Sequence, residues 1–187
     1  MRVIAGKFRS RTLTAPRGLD TRPTSDRLRE TLFNVLAPRI EGSTFLDLYA
    51  GSGANGIEAL SRGASSAVFV EKATPAIAAI RANLRTLGIQ TGWQLETRGA
   101  GPSLKRLTEQ GQRFDLAFLD PPYKAADEYA LVLTALGNEC APLLADGAIV
   151  IAEHHRKEHL EDEYGKLRRY RLLEQGDAAL SFYSAKS

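Results

Sequence analysis

From residue 44 onward, short apolar runs alternate with longer amphipathic segments, and this alternation restricts the chain to few folds. The apolar runs predict strands near residues 44–49, 66–71, 92–97, 114–119 and 147–152. The segments between them predict helices near residues 55–62, 74–87, 102–109 and 127–138. Because strands that alternate with helices over short loops form a parallel sheet covered on both faces, an α/β fold is expected.

The amino-terminal residues predict a small extension before this alternation. Loose alternation in the first fifteen residues, with a turn at Gly6, indicates a β-hairpin. A helix follows, with Thr24 or Ser25 as its cap and Pro38 as its end. This hairpin and helix occupy residues 1–39.

The carboxyl-terminal residues predict two further strands. These strands lie at 167–173 and 179–184 and are joined at residues 175–177, which brings the predicted sheet to seven mostly parallel strands. A chain of 187 residues is most simply a single domain, with its core over residues 40–187.

The turn after the first predicted strand is rich in small residues. It reads Ala50-Gly51-Ser52-Gly53-Ala54-Asn55-Gly56 and leads directly into a helix. Small residues let a ligand approach the backbone closely, and a helix start offers unpaired N–H groups. Three of these glycines fit the pattern G-x-G-x-x-G, and Glu71 ends the next strand twenty residues after Gly51, where a ribose hydroxyl pair is bound. The sequence therefore predicts a nucleoside-bearing cofactor.

The segment after the fourth predicted strand is a rigid polar ledge. It consists of Asp120, Pro121, Pro122 and Tyr123. The prolines have a fixed φ and no N–H, so their carbonyls can accept hydrogen bonds from another molecule. An anionic oxygen, a carbonyl and a flat ring suit a planar base with an exocyclic amino group. A proline-rich turn capped by Asp120 is the alternative. Since ligands of parallel sheets bind at the carboxyl ends of the strands, this ledge and the glycine turn are expected at one edge.

The net charge of +3 is unevenly distributed. Residues 1–39 contain nine Lys and Arg against three Asp and Glu, a net charge of +6. A basic arm of this kind indicates a polyanionic partner, although a solvated arginine-rich surface is the alternative. Arg168, Arg169 and Arg171 either extend the basic surface or protect an edge strand.

The composition excludes several classes of protein. Apolar stretches are too short for a membrane span of roughly 20 residues, and the amino terminus lacks the apolar core of a signal peptide. The single Cys140, expected to be buried or half-buried, indicates a reducing cytoplasm. His154, His155 and His159 lack metal-site spacing and are expected to be solvated, so no metal is predicted. Trp93 and Phe118 are expected in the core.

Taken together, these motifs resemble a known family. The stretch at residues 22–36, RPTSDRLRETLFNVL, is similar to the R-P-T-x-D-x-x-R-E-x-L-F-N segment of the RsmD family. The stretches at residues 46–53, LDLYAGSG, and 58–64, EALSRGA, resemble that family's cofactor loop and following helix. RsmD enzymes are bacterial Class I S-adenosyl-L-methionine-dependent methyltransferases that act on guanine N2 of 16S ribosomal RNA. The resemblance covers nearly the whole chain and implies a Rossmann-like fold and a cytoplasmic enzyme.

The resemblance also implies roles for individual residues. The catalytic segment is residues 120–123, and the cofactor is held by Asp47, Ala50, Gly51, Ser52, Gly53, Glu71 and Ala100. Phosphates of 16S rRNA, within the 30S subunit or an assembly intermediate, are expected to meet Arg9, Arg11, Arg22 and Arg27.

Three positions depart from the family pattern. Asn55 stands where an apolar residue is usual, and Lys72 follows Glu71 where an acidic residue is often found. The run Gly99-Ala100-Gly101-Pro102 replaces a polar residue that meets the cofactor adenine, so Ala100 has only its backbone to offer.

Three other functions are compatible with parts of the sequence. An adenine-N6 DNA methyltransferase, or another RNA methyltransferase, shares the D-P-P-Y motif, but little chain remains for a DNA-recognition domain. A nicotinamide-dependent oxidoreductase shares G-x-G-x-x-G, but needs a substrate domain. A non-catalytic RNA-binding protein would not need an intact Asp120.

Overall fold

A computed structural model describes residues 1–16, 25–122 and 126–185. The chain divides into two compact units, residues 1–98 and residues 99–187, which are described in turn. Within the described residues, no helix combines the length and apolar character needed to cross a membrane.

The first unit is a three-stranded parallel sheet with its helices and the amino-terminal extension. Its elements are α1 (Asp26–Ile40), β1 (Thr44–Leu48), α2 (Ala54–Ser61), β2 (Ser66–Val70), α3 (Thr74–Thr86) and β3 (Trp93–Glu96). The strands pair in the order β3-β2-β1, with Phe45 opposite Ala67 and Ala67 opposite Trp93. Phe45, Leu46 and Phe69 are fully buried, which makes the sheet the core of this unit.

The second unit combines a parallel strand pair with an antiparallel extension. Its elements are α4 (Ala100–Glu109), β4 (Phe114–Leu119), α5 (Ala126–Gly137), a 3-10 turn (Ala141–Leu143), β5 (Leu144–His155), β6 (Glu163–Tyr164), β7 (Leu167–Gln175) and β8 (Ala178–Ala185). The strands pair in the order β4-β5-β8-β7-β6. Only β4 and β5 are parallel, and the remaining pairs are antiparallel.

The predicted strand–helix alternation is confirmed, but the predicted number of strands is wrong. The described residues form eight strands, because the two-residue strand β6 was not predicted. So short a strand has no periodicity of its own and exists only through its pairing with β7. The turn predicted at residues 175–177 is confirmed, and Gly176 there has a φ of 63°.

The amino-terminal extension is confirmed with two corrections. The predicted hairpin is reduced to a single antiparallel bridge between Arg2 and Thr12. Ser25 caps α1 by accepting from Leu28 N over 3.1 Å, whereas Pro38 lies inside the helix and does not end it. The helix continues because proline removes only one internal hydrogen bond, and Ile40 beyond it is 4% exposed.

Candidate functional site

The turn after β1 is a tight loop with its backbone open on one side. Gly51 and Gly53 have φ values of 56° and 78°, and the non-glycine Tyr49 has a φ of 62°. Gly53 N donates to Ala50 O over 2.7 Å, and Ala50 N donates to Val70 O over 3.0 Å. A Cβ added to Gly51 would meet no atom within 4 Å. A ligand can therefore lie directly against the backbone at Gly51, as the glycine pattern predicts.

Gly56, the last glycine of the pattern, serves packing. It lies in the first turn of α2, and an added Cβ would be 2.3 Å from Cε1 of Phe69 on β2. Such a distance is far below van der Waals contact, so only glycine allows α2 to approach the sheet this closely. The position of the loop relative to β2 depends on this contact.

Glu71 connects the end of β2 to the glycine loop. Its Oε2 accepts from Gly51 N over 2.9 Å, and its Oε1 accepts from Ala73 N over 2.8 Å. A carboxylate has about four lone-pair positions, so two such bonds leave each oxygen able to accept another donor. The half-buried carboxylate is thus oriented by backbone groups and retains the capacity to accept hydroxyl donors.

Asp47 lies beneath the same loop, in β1. Its side chain is 1% exposed, and Oδ2 accepts from Gly56 N over 2.9 Å. This bond satisfies an N–H in the first turn of α2, whose N-cap Gly53 has no side chain to do so. The pKa of Asp47 is raised from 3.8 to about 8, chiefly by burial and to a smaller extent by the negative charge of Glu71, against the lowering effect of the hydrogen bond from Gly56 N. Asp47 therefore supports the loop from within the unit.

Asn83 in α3 holds the loop from another direction. Its Nδ2 donates to Ser52 O over 2.9 Å and to Thr14 O over 3.0 Å, while Thr14 N donates to its Oδ1 over 2.8 Å. Ser52 Oγ also donates to Met1 Sδ over 3.6 Å. One buried amide thus connects the glycine loop to the amino-terminal extension. No local pattern in the sequence indicates this contact.

The residues predicted to bind a base lie in the second unit, at the end of β4. Asp120 follows the fully buried Leu119 and is half-buried, Pro121 is buried, and Pro122 is exposed. Tyr123, the fourth member of the motif, lies outside the described residues. The parallel strand β4 is therefore followed at its carboxyl end by a half-buried aspartate and two prolines, which is the position predicted for this motif.

Ala100 is the first residue of α4 and is 4% exposed. Its N-cap is Gly99, which makes no side-chain cap hydrogen bond, and its methyl group can make no polar contact. Contact of this segment with the cofactor adenine through its backbone stays a prediction.

Three of the four arginines predicted to bind RNA are described. Arg9, Arg11 and Arg27 are exposed, whereas Arg22 lies outside the described residues. Arg11 Nη2 donates to the backbone carbonyl of Thr86 over 3.2 Å, which places it against the end of α3. The exposed guanidinium groups are consistent with a basic surface on the first unit.

Arg29 has a different role from the exposed arginines of the same arm. It is fully buried and donates to Asp26 Oδ1 over 2.8 Å and to Arg2 O over 2.6 Å. Its Nε lies 4.0 Å from the buried carboxylate of Glu58, which also accepts from Arg62 Nε. The other partners of Glu58 are the backbone N–H groups of Ile4 and Ala5, at 2.8 and 3.0 Å. This ion cluster attaches the arm to α2, a function that the helical pattern did not reveal.

The prediction that the three histidines are solvated is wrong for His154 and confirmed for His159, which is exposed, while His155 is half-buried. His154 and His155 belong to β5, and His154 is 5% exposed. Its ring nitrogens lie 2.9 Å from Ser181 Oγ and 3.0 Å from His155 O. Burial lowers the pKa of His154. Among the described residues, no group of three or more His, Cys, Asp or Glu side chains could hold a metal ion.

The remaining predictions of burial have mixed outcomes. Phe118 and Cys140 are buried, as predicted. Trp93 is half-exposed, and its placement in the core is wrong, because β3 pairs with only one neighbouring strand. Asn55, the departure from the family pattern, is 8% exposed, and its Oδ1 has no hydrogen-bond partner among the residues that the structure describes. Glu58 could have been suspected from its spacing of four to Arg62, whereas Asn83 could not.

Comparison with known proteins gives one consistent result. The family model "Conserved hypothetical protein 95" matches residues 1–184. A Bacillus subtilis (strain 168) protein named "Putative rRNA methyltransferase YlbH" is 38% identical over 186 residues, which cover 100% of both chains. Ribosomal RNA small subunit methyltransferase D of Escherichia coli (strain K12) is 39% identical over 124 residues, 66% of this chain and 61% of that protein.

A solved structure extends the likeness to three dimensions. The Escherichia coli protein named "Putative methyltransferase yhhF" superposes with a TM-score of 0.84 at 31% identity, over 100% of this chain and 98% of that one. The predicted Rossmann-like methyltransferase fold is therefore confirmed, with the strand count corrected as above.

Proposed function

Because the chain belongs to the Conserved hypothetical protein 95 family, the RsmD family of methyltransferases, we propose that it methylates ribosomal RNA with S-adenosyl-L-methionine as the donor. We further propose that the acceptor is the exocyclic N2 of one guanine in 16S rRNA. The observation that carries the proposal is the match over residues 1–184, which includes the basic arm, the glycine loop and the D-P-P-Y segment. The full-length likeness to a protein named as an rRNA methyltransferase supports it.

The first unit has the features that a nucleoside-bearing donor requires. The open backbone at Gly51 accommodates a close ligand, and the oriented carboxylate of Glu71 can accept from ribose hydroxyls. Ala50, Ser52 and Gly53 complete the loop, and Asp47 holds it in place from below. Ala100 contributes backbone only. When bound, S-adenosyl-L-methionine supplies the methyl group and leaves as S-adenosyl-L-homocysteine.

The second unit has the features that an exocyclic amine requires. In the proposed complex, the carboxylate of Asp120 and the carbonyl of Pro121 accept from the two amine hydrogens. Two acceptors in a bent arrangement favour a pyramidal nitrogen, whose lone pair is then available for attack instead of being delocalised into the ring. Asp120 accepts or relays the proton that the methylated amine loses. Positioning of this kind accounts for most of the proposed acceleration.

The base must leave its stack to reach Asp120. Extrusion of a base costs a few kcal/mol and costs least in a loop or single strand. Tyr123 is proposed to stack on the extruded base, a contact worth roughly 1–3 kcal/mol. The exposed Arg9, Arg11 and Arg27, together with Arg22, are proposed to hold the neighbouring phosphates. A 30S subunit or an assembly intermediate is the proposed form of the substrate.

Methyl transfer from labelled S-adenosyl-L-methionine tests this function directly. Protein-free 16S rRNA, 30S subunits lacking the modification and unmethylated plasmid DNA are offered in parallel, and the modified nucleoside is identified by mass spectrometry. The expected product is N2-methylguanosine in 16S rRNA. Labelled N6-methyladenine in DNA would instead establish the DNA methyltransferase, and binding of RNA without any label would establish a non-catalytic RNA-binding protein.

A further inference from the structure

A shallow groove of about 380 Å³ lies on the first unit, apart from the glycine loop. It lies between the end of α3 and the start of β3, and its lining includes Arg81, Arg85, Gln90 and Trp93. None of its lining residues is acidic. Cationic, amide and aromatic side chains around one groove form a surface suited to nucleic acid.

The stability of the helix accounts for only one of the two arginines of the groove. Arg85 lies in the last turn of α3, where the helix dipole favours a cation, whereas Arg81 lies one turn earlier. Arg81 and Arg85 are both exposed and are four residues apart, so their Cβ atoms lie about 5–6 Å apart on one face of α3. Like charges at this spacing destabilise a helix by about 0.2–0.5 kcal/mol. Within the described part of the chain, no ion pair involves either guanidinium. Two adjacent unpaired cations are therefore available to an anionic ligand.

Trp93 presents its ring to the groove in a fixed position. It is half-exposed, and its Nε1 donates to the carbonyl of Ile89 over 3.2 Å. Because the single polar group of the indole is already satisfied, what remains for a ligand is the exposed part of the ring. A base stacked on an aromatic side chain is stabilised by about 1–3 kcal/mol.

The groove is continuous with the basic arm. Arg11 donates to the carbonyl of Thr86, the residue that follows Arg85, so the arm and the end of α3 share one cationic surface. β3 then leads from Trp93 to Glu96, roughly 10 Å away at the carboxyl end of the strand. At that end, Glu71 N donates to Glu96 O over 3.0 Å. RNA in the groove would thus lie within a few nucleotides of the cofactor loop.

We propose that this groove binds a single-stranded segment of the RNA substrate, with one base stacked on Trp93 and phosphates on Arg81 and Arg85. The inference rests on the proposed function and adds a docking surface to it. Single-stranded RNA is favoured over duplex because an unstacked base is needed to contact the ring. The indole has no donor left to select a particular base, so binding here is expected to be tolerant of sequence.

The tryptophan itself provides the test, because Trp93 is the only tryptophan in the chain. Titration of the full-length protein with a short single-stranded RNA is expected to quench its emission, whereas a duplex of the same sequence quenches it much less. The double variant Arg81→Gln/Arg85→Gln is expected to bind the strand about tenfold more weakly. When the logarithm of the RNA affinity is plotted against the logarithm of the salt concentration, the line for this variant should be less steep than that for the wild type. The slope should differ by about 1.4, which is about 0.7 for each of the two lost phosphate contacts.

A matched control separates this site from general charge effects. Lys105→Gln/Lys157→Gln removes the same charge from exposed positions of the second unit and should leave both affinity and quenching nearly unchanged. Wild-type affinity in the arginine variant, or saturable RNA binding by filter retention without any change in Trp93 emission, would overturn the proposal. If methyl transfer to 16S rRNA persists in that case, the proposed function survives and only the groove is rejected.

Discussion

Nδ2 of Asn83 in α3 donates to the carbonyl of Ser52 in the glycine loop over 2.9 Å, and the same amide is bonded to both backbone groups of Thr14. The cofactor loop and the amino-terminal arm are therefore held by one side chain that is 2% exposed. Because both segments depend on one amide, a change at Asn83 should affect the loop and the arm together.

Replacement of Asn83 tests that relationship. Asn83→Ala leaves three backbone groups without their partner, and each buried unsatisfied group costs about 1–3 kcal/mol. The free energy of unfolding, measured in urea, should fall by about 2–4 kcal/mol, a range that allows for water reaching some of the three groups. Calorimetry should also show weaker binding of S-adenosyl-L-homocysteine. Asn138→Ala, at an exposed helix end, is the matched control and should lose less than about 1 kcal/mol. A similar loss in both variants would contradict the assigned role.

Alanine substitutions at two glycines of the loop should have different effects on stability and ligand binding. Gly51→Ala adds a methyl group in open space but at a φ of 56°, so it should cost only about 1–2 kcal/mol of stability. It should nevertheless weaken S-adenosyl-L-homocysteine binding, because the methyl group occupies the proposed ligand position. Gly56→Ala places a Cβ 2.3 Å from Phe69 and should cost about 1–3 kcal/mol.

A second substitution checks the packing explanation for Gly56. Phe69→Leu removes the ring atoms that the new methyl group would meet, so the double variant should be more stable than the sum of the two single losses. Strict additivity in urea unfolding would show that the methyl group and the ring do not collide.

Asp47 should make stability depend on pH. Its pKa is about 8 in the folded chain against an ordinary value of 3.8, so the folded state retains a proton that the unfolded state has released. The contribution of Asp47 to the free energy of unfolding should therefore be greatest below about pH 4. It should decrease as the pH rises to about 8, by at most about 1.4 kcal/mol per pH unit. Asp47→Asn keeps an acceptor for Gly56 N and should flatten this decline in urea unfolding at successive pH values. An unchanged pH profile would assign the decline to other groups.

Glu71 should govern affinity for the cofactor. Glu71→Gln replaces one carboxylate oxygen with an NH₂ group that faces a backbone N–H of Gly51 or Ala73, and it removes an acceptor for ribose hydroxyls. S-adenosyl-L-homocysteine should bind about tenfold more weakly, equivalent to about 1.4 kcal/mol. The exposed neighbour Lys72 provides the control, since Lys72→Gln should bind normally. Equal affinities of the two variants would remove Glu71 from the site.

Asp120 should govern turnover and not cofactor affinity. Asp120→Ala removes the acceptor for the amine, and kcat for methyl transfer should fall by about 10² or more. Affinity for S-adenosyl-L-homocysteine should remain within about twofold of the wild-type value, because a factor of two is only about 0.4 kcal/mol. Asp120→Asn, which retains one acceptor oxygen, should show an intermediate kcat. An equal loss of kcat and of cofactor affinity would contradict the role of Asp120 as the acceptor for the amine.

Local signals explain why so much of the secondary structure could be predicted. The ends of α2 and α3 follow from a glycine turn and a proline near the helix start, and they lie within a residue of the prediction. Where a local rule competes with packing, it can fail. Pro38 should have ended α1, but the burial of Ile40 outweighs the single hydrogen bond that proline removes.

What the sequence by itself determined is the alternation of strands and helices, the glycine turn, the acidic end of β2 and the position of Asp120-Pro121-Pro122 after β4, because each depends on neighbours within a few residues. The tertiary structure alone decided which side chains support these motifs. Arg29 and Glu58 are buried as an ion cluster, Asn83 links Ser52 to Thr14, and Trp93 lies at an open groove. The contacts of Arg29 with Glu58 and of Asn83 with Ser52 and Thr14 join residues tens of positions apart, so no spacing pattern in a single sequence indicates them. The exposure of Trp93 depends on the place of β3 at the edge of its sheet, which the sequence does not give either.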